Sequence, residues 1–304
     1  MRPDFAAQDF AAHGLGLIIT GNLPLASDAV LYVVATPIGN LADMVPRAVT
    51  ILQSVALIAA EDTRHSRRLL DHFDIRTRCV AYHDHSGAQD LAALLAQLQA
   101  GNSIALISDA GTPLVSDPGY RLVDEALRAG FSVVPVPGAC AAIAALSAAG
   151  LPTDRFVFEG FLPAKSAARR QRLEQLAGES RTLVFYEAPH RLLDTLADME
   201  AVFGAERTAV LARELTKLHE TIHREPLGDL RAWAQADPNQ SRGECVLLVR
   251  GAPEAVDGAA EGERVLRLLL DELPLKQAAA LAAKITGQKK NDLYQLALSW
   301  QKPA

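Results

Sequence analysis

The chain has 304 residues, of which 49% are apolar and 22% charged, and its formal net charge is −6. That length exceeds one small core and implies two or three domains of an ordinary soluble kind. The negative balance excludes a uniformly basic nucleic-acid coat protein, so any polyanion must be met by local basic patches.

Residues 1–29 read as a flexible tail. Asp4 and Asp9 spoil the basic start of a signal peptide, and the apolar stretch 15–19 is short. Residues 30–149 follow as a first α/β domain. Short β-branched runs at 31–35, 56–60, 103–108 and 132–135 predict strands, and 45–54, 62–72, 119–129 and 139–149 predict helices. Strands alternating with helices imply a mostly parallel open sheet. A second α/β domain, 150–251, has predicted strands at 156–158, 182–186, 208–212 and 245–249 and a helix at 191–202. Residues 252–262 have the small-residue composition of a linker. A small helical module, 263–304, closes the chain with helices predicted at 265–273, 278–286 and 289–300, a pattern compatible with a helix-turn-helix.

Cys79, Cys140 and Cys245 lie far apart without metal-ligand spacing, which fits a reducing, cytoplasmic compartment. No charge-free apolar run reaches the ~18 residues that a membrane-spanning helix needs, so no membrane partner is expected.

No G-x-G-x-x-G follows any predicted strand, which removes support for a Rossmann-type site. Instead three turns close predicted strands: Thr36-Pro-Ile-Gly-Asn40, Asp109-Ala-Gly-Thr-Pro113 and Val136-Pro-Gly-Ala-Cys140. Ligands of open α/β sheets bind at strand C-terminal ends, and small residues there admit close backbone approach. For one turn, turn geometry alone explains Gly and Pro. Three such turns on one sheet favour a ligand.

Longer motifs carry a family resemblance. They are Leu31 to Asp43 (LYVVATPIGNLAD), Ala60-Glu-Asp-Thr-Arg64, Ser108 to Tyr120 (SDAGTPLVSDPGY), Phe158-Glu-Gly-Phe-Leu-Pro163, Tyr186-Glu-Ala-Pro-His-Arg191 and Ala212-Arg-Glu-Leu-Thr-Lys217. From about Leu31 to the C-terminus the sequence resembles the ribosomal RNA small subunit methyltransferase I family. The resemblance implies the tetrapyrrole methylase fold, two α/β domains with S-adenosylmethionine in the cleft between them. It also implies a homodimer that methylates a cytidine ribose 2′-oxygen in the decoding region, on small-subunit rRNA or the assembled small ribosomal subunit. Carried over residue by residue, it assigns Pro37, Asp109, Ala110, Gly111, Thr112, Leu114 and Val115 to the cofactor. Pro137, Gly138, Cys140 and Ala141 line the next wall, with Tyr186, Ala212, Arg213, Gly243 and Glu244 towards the adenosine. Many relatives of this fold carry an acid where Thr112 stands. Thr112 agrees with the rRNA branch.

A ribose hydroxyl is a poor nucleophile, so a base or a cation is expected beside it. Candidates are Glu61, Asp62 and Arg64, then Asp109, then Glu187 with His190; the sequence does not choose among them. First-turn helix acids and turn capping are the competing interpretations of Asp62 and Asp109. His83-Asp84-His85 has same-face spacing but reads as loop, and no metal is expected. Arg64, Arg67 and Arg68 form one basic stripe, Lys165, Arg169 and Arg170, beside Arg172, a second, and Lys289 with Lys290 a third. Such stripes suit RNA phosphates, although each alone is also an ordinary solvated face. Two rivals remain: a tetrapyrrole methyltransferase of the same fold, and a non-catalytic RNA-binding assembly factor.

Overall fold

The structure, a computed structural model, describes residues 29–83, 86–253 and 258–301. The expected N-terminal tail, up to residue 28, and Asp84 and His85 of the His-Asp-His pattern lie outside the described residues. The chain divides into two compact units. One runs to Ala144 and includes Leu215–His219; the other holds the remainder.

In the first unit, β1 (Val30–Val34), β2 (Leu57–Ala60), β3 (Cys79–Ala81), β4 (Ile104–Ile107) and β5 (Ser132–Val136) form one sheet. Its order is β3-β2-β4-β1-β5 and every pair is parallel. The continuous apolar runs Leu-Ile-Ala-Ala of β2 and Ile-Ala-Leu-Ile of β4 are buried throughout, as a sheet covered on both faces requires. Alternation splits them between two cores. Val30, Tyr32, Ile58 and Ile107 face α1 (Pro46–Ser54) and α2 (Thr63–His72). Leu31, Ala59 and Leu106 face α3 (Ala88–Gln99) and α4 (Tyr120–Arg128).

The sequence patterns above predict no element between 73 and 102, where the structure has β3 and α3. Three residues of β3 are too few to show a period. The α3 signal is present, since Leu91, Leu94, Leu95 and Leu98 recur at helical spacing.

Helix α5 (Ala141–Ala148) spans the division between the units. In the second unit, β6 (Phe156–Phe161), β7 (Thr182–Glu187), β8 (Thr208–Arg213), β9 (Thr221–Pro226) and β10 (Cys245–Val249) are ordered β6-β7-β10-β8-β9. Only β6 and β7 pair in parallel; the other pairs are antiparallel. Helices α6 (Ser166–Leu176), α7 (Leu192–Phe203) and α8 (Leu227–Ala236) pack on Phe185, Leu211 and Leu247 through Leu173, Leu196 and Leu230. Edge strand β9 and α8 are additions to the elements predicted from sequence. The strand mixes polar and apolar residues (Thr-Ile-His-Arg-Glu-Pro), which hides it.

Three helices follow: α9 (Gly258–Leu270), α10 (Leu275–Thr286) and α11 (Lys290–Gln301). They share their own apolar cluster, with Leu266, Ala278, Ala282, Leu293 and Ala297 at its centre. Helix α9 begins inside the stretch read as a linker, which corrects that boundary. Gly262 is tolerated in the helix because the Gln288 side chain occupies the place of a Cβ.

A buried ion pair joins α6 to α7. Arg169 is 3% exposed and places its Nε and Nη2 at 2.7 Å from Asp198 Oδ2. Ser166 donates to the same carboxylate, and Arg170 reaches Asp198 Oδ1 at 2.9 Å from the surface. Removing one partner strands a buried charge, which costs about 3–5 kcal/mol. Asp198→Ala is therefore expected to lower unfolding free energy by about that amount in urea titration, and Arg170→Ala by about 1 kcal/mol or less.

Candidate functional site

The turns at the C-terminal ends of β1, β4 and β5 are tied to one another within the first unit. Thr36 N–H donates to Gly111 O at 2.8 Å, and Gly111 N–H returns a bond to Thr36 O at 3.0 Å. This isolated antiparallel bridge joins two parallel neighbours just beyond the point where their ladder ends. Thr112 Oγ1 then donates to Ala139 O at 2.9 Å and draws in the third turn. Gly111 sits at φ 86°, in the region that favours glycine. At Gly138 a Cβ would stand 2.9 Å from the Ala35 Cβ, so that turn closes only on glycine.

Leu114 and Ser116 also hold left-handed backbone, at φ 73° and 63°. Such strain at non-glycine residues clusters at ligand sites. Pro37, Ala110, Thr112, Leu114, Val115, Cys140 and Ala141 are all half-buried around these turns. The structure thus brings together the first-unit residues that the sequence assigned to a ligand. The segment Leu215–His219 groups with the same unit, and the Lys217 stem fills the space above Gly39, 2.5 Å from the place of its Cβ.

Strand β4 lies between β1 and β2, so the residues following β2 meet those following β4. Asp109 Oδ1 accepts the Asp62 N–H at 3.1 Å, and Asp109 N–H points to Glu61 Oε2 at 3.5 Å. Asp62 caps α2, accepting the Arg64 N–H at 2.7 Å, and that bond holds its carboxyl below the usual range.

A residue that sequence reasoning passes over joins this group. Burial pushes the Asp117 carboxyl up to about 6. A hydrogen bond with Ser108 opposes the shift, and the nearby Glu61 and Asp109 charges add to it. Asp117 stands inside a motif read for its glycines, and nothing in its spacing sets it apart. Arg64, Arg67 and Arg68 are exposed on α2 immediately after these carboxylates, with Arg67 paired to Asp71 at 3.0 Å.

In the second unit, Tyr186, Ala212, Arg213, Gly243 and Glu244 gather at one end of the sheet. The register sets Cys245 opposite both Glu187 and Arg213. Tyr186 stands edge-on to Phe158 and Phe161, at 5.0 and 5.6 Å between ring centres. Glu214 fills the place of a Cβ on Gly243, accepts the Glu244 N–H at 2.9 Å and donates its own N–H to Glu244 O. The Arg213 guanidinium is buried, donating to Arg242 O and Thr221 Oγ1 at 3.3 Å each.

Two expectations are corrected here. Glu187, 2% exposed, takes Thr195 Oγ1 at 2.6 Å, the Ala188 N–H at 2.8 Å and Arg191 at 3.1 Å. Its lone pairs are committed inside its own unit, so it does not serve as a base. Arg169 is enclosed by Asp198, so it does not reach a phosphate; neighbouring Lys165 and Arg170 remain exposed. Arg172 pairs with Glu159 at 2.7 Å. His190, in a short turn, and Lys289 and Lys290, at the start of α11, are exposed. Among the described residues no group of three or more His, Cys, Asp or Glu is placed to hold a metal.

Similarity to known proteins agrees with this geometry. Residues 30–231 match the tetrapyrrole (corrin/porphyrin) methylases, and residues 256–301 match the RsmI C-terminal HTH domain. A ribosomal RNA small subunit methyltransferase I from Pseudomonas aeruginosa is 62% identical over 90% of this chain and 99% of its own length. The protein of that name from Escherichia coli O157:H7 is 59% identical over 90% of this chain and 96% of its own. Solved structures share the fold at low identity. A cobalt precorrin-4 methyltransferase aligns with TM-score 0.56 at 16% identity, covering 76% of this chain and 98% of its own. A diphthine synthase aligns with TM-score 0.57 at 14% identity, covering 74% of this chain and 90% of its own. The chain belongs to the ribosomal RNA small subunit methyltransferase I family, within the tetrapyrrole methylases.

Proposed function

We propose that this methyltransferase carries a methyl group from S-adenosylmethionine to the 2′-oxygen of a cytidine ribose in the decoding region of small-subunit rRNA. The observation that carries the reading is the tied set of turns at the ends of β1, β4 and β5 in a chain of this family. The turns suit the cofactor's methionine part, because Gly111, at positive φ, and Gly138, close against Ala35, let the backbone of the turns draw together. Pro37, Ala110, Thr112, Leu114, Val115, Cys140 and Ala141 would line it. Family likeness assigns Tyr186, Ala212, Arg213, Gly243 and Glu244 to the adenosine.

When bound, the sulfonium supplies an already activated methyl group. The protein's part is to align the hydroxyl, exclude water and take a proton. Asp117 is the carboxyl best suited to that proton, since its affinity lies near neutrality while Asp62 is spent on capping. Glu61 and Asp109 hold the local negative charge that keeps it there. RNA phosphates are met by Arg64, Arg67 and Arg68 on α2, and by Lys165, Arg170, Lys289 and Lys290. No helix among the described residues is long and apolar enough to cross a membrane. We place the reaction in the cytoplasm, on rRNA or the assembled small subunit. We read the alanine-rich α5, with Ile143 exposed, as supporting a homodimer.

Substitution at Gly111 strains the backbone whatever ligand is present, so Thr112 is the better probe. Thr112→Val removes the bond to Ala139 O and loosens the third turn. Cofactor affinity is expected to fall about fivefold by calorimetry, in keeping with ~1 kcal/mol for one hydrogen bond.

Asp117→Asn tests the proton acceptor. A carboxyl raised to about 6 favours the fold while neutral; that contribution is complete below about pH 4 and lost as pH rises through 6. The variant should match the parent in stability at pH 4 and exceed it by about 1–2 kcal/mol at pH 8, the full shift being discounted because solvent reaches the half-buried carboxyl. Its kcat should fall about 100-fold or more and lose the limb near pH 6. A retained limb removes Asp117 from the reaction.

The acceptor atom is tested chemically. A decoding-region RNA carrying 2′-deoxycytidine at the target is expected to bind and accept no methyl group. The product of the unmodified RNA is expected to resist alkaline cleavage at that nucleotide. Methylation of the deoxy substrate would assign the acceptor to a base. Methylation of a tetrapyrrole in place of RNA would favour the small-molecule activity instead.

A further inference from the structure

The second unit holds a cavity of about 680 Å³ at the end of its sheet away from Tyr186 and Ala212. Thr182 and Thr208 line it, four residues before Tyr186 and Ala212 on the same strands, or about 13 Å along them. Its wall is closed where Gly251 lies against the Ser180 carbonyl, a contact with no room for a Cβ, and Ala252 N–H bonds to Glu179 O at 2.6 Å.

Four arginines reach this cavity: Arg155, Arg181, Arg207 and Arg250. Two have carboxylates. Arg181 pairs with Glu179 at 2.7 Å, and Arg155 approaches Asp154 at 3.8 Å. Arg207 has none among the described residues. Its Nη1 donates to Arg250 O and its Nη2 to Ala177 O, each at 3.1 Å, and its guanidinium lies over the Phe203 ring. Burial without a compensating carboxylate holds its pKa below the ordinary guanidinium value. Arg250 is exposed on the same rim. Glu206 is the one further acid in the lining, so cations exceed anions. A half-buried cation is ordinarily matched by an anion. Here carbonyls and a ring face hold it, and an open cavity stands beside it.

We infer that this cavity is an RNA exosite, in which Arg207 and Arg250 hold a backbone phosphate of the substrate strand at the end of the second sheet opposite Tyr186 and Ala212. The inference rests on RNA being the substrate. The volume suits a nucleotide, within the ~300–1,000 Å³ of small-ligand sites. Two arginines offer paired donors to phosphate oxygens, the geometry that guanidinium serves best.

The test uses the full chain, a decoding-region RNA fragment, and the variants Arg250→Glu and Arg207→Gln, with melting curves to establish folding. Arg250 is exposed, so its variant is expected to fold even if Arg207→Gln does not. Fluorescence anisotropy should show RNA affinity about 5–10-fold weaker for Arg250→Glu at moderate salt. The log–log salt slope should fall by roughly 0.7–0.9 per lost phosphate contact. S-adenosylmethionine affinity, by calorimetry, should be unchanged. Unaltered RNA affinity and slope in folded variants, with the parent binding RNA, overturns the exosite and leaves the RNA substrate standing. A parent that binds no RNA overturns both. Cytidine monophosphate that stabilises the parent but not Arg250→Glu, without competing with RNA, assigns the cavity to a free nucleotide and overturns the RNA exosite.

Discussion

Two backbone hydrogen bonds, exchanged between Thr36 and Gly111, hold the site together. In a parallel sheet neighbouring strands diverge into separate helices once the ladder ends, and nothing in the ladder controls where their turns go. The bridge turns two loose ends into a fixed frame, and Thr112 extends the frame to the turn after β5. Frame and strain belong together. Leu114 and Ser116 keep left-handed backbone in the short loop between the bonded turn and Gly119, where strain is held by the structure on either side. At Gly119 an added Cβ would meet Leu106 at 2.7 Å, so even the exit of the loop is fixed by a core residue.

Much of this frame is legible in the sequence. The apolar runs of β1, β2 and β4 are long enough to show burial on both faces, and the Gly and Pro turns after them are strong local signals. What sequence does not separate is charge that faces outward from charge that is locked inside. Arg169, Arg170 and Arg172 are near neighbours, yet one is enclosed by Asp198, one straddles the surface and one pairs with Glu159. Their partners lie 13 to 29 residues away in sequence, beyond any local pattern. Glu187 and Asp117 show the same limit in opposite directions. Glu187 has the local pattern of an available carboxylate, and the fold bonds it fully. Asp117 has an ordinary local pattern, and burial beside Glu61 after β2 and Asp109 after β4 raises its proton affinity.

The two sheets solve different problems. The first is parallel, buried on both faces, and concentrates its chemistry at one end. The second is largely antiparallel, so strand starts and strand ends alternate along each edge. It can therefore present Tyr186 and Arg213 at one end and an arginine-lined cavity at the other. The helical module keeps its own apolar cluster and asks neither sheet for packing within that core.

Leu215–His219 lies between β8 and β9 in the chain, yet it counts among the residues of the first unit and lays Lys217 over Gly39. The order of synthesis makes this consequential. A chain emerging from its N-terminus exposes all five strands of the first sheet long before residue 219 appears. During that interval the Gly39 turn lacks its cover, and the contact that completes it closes a very long loop. The first unit therefore cannot mature as an independent N-terminal piece; its last contact must wait until most of the second sheet has been made.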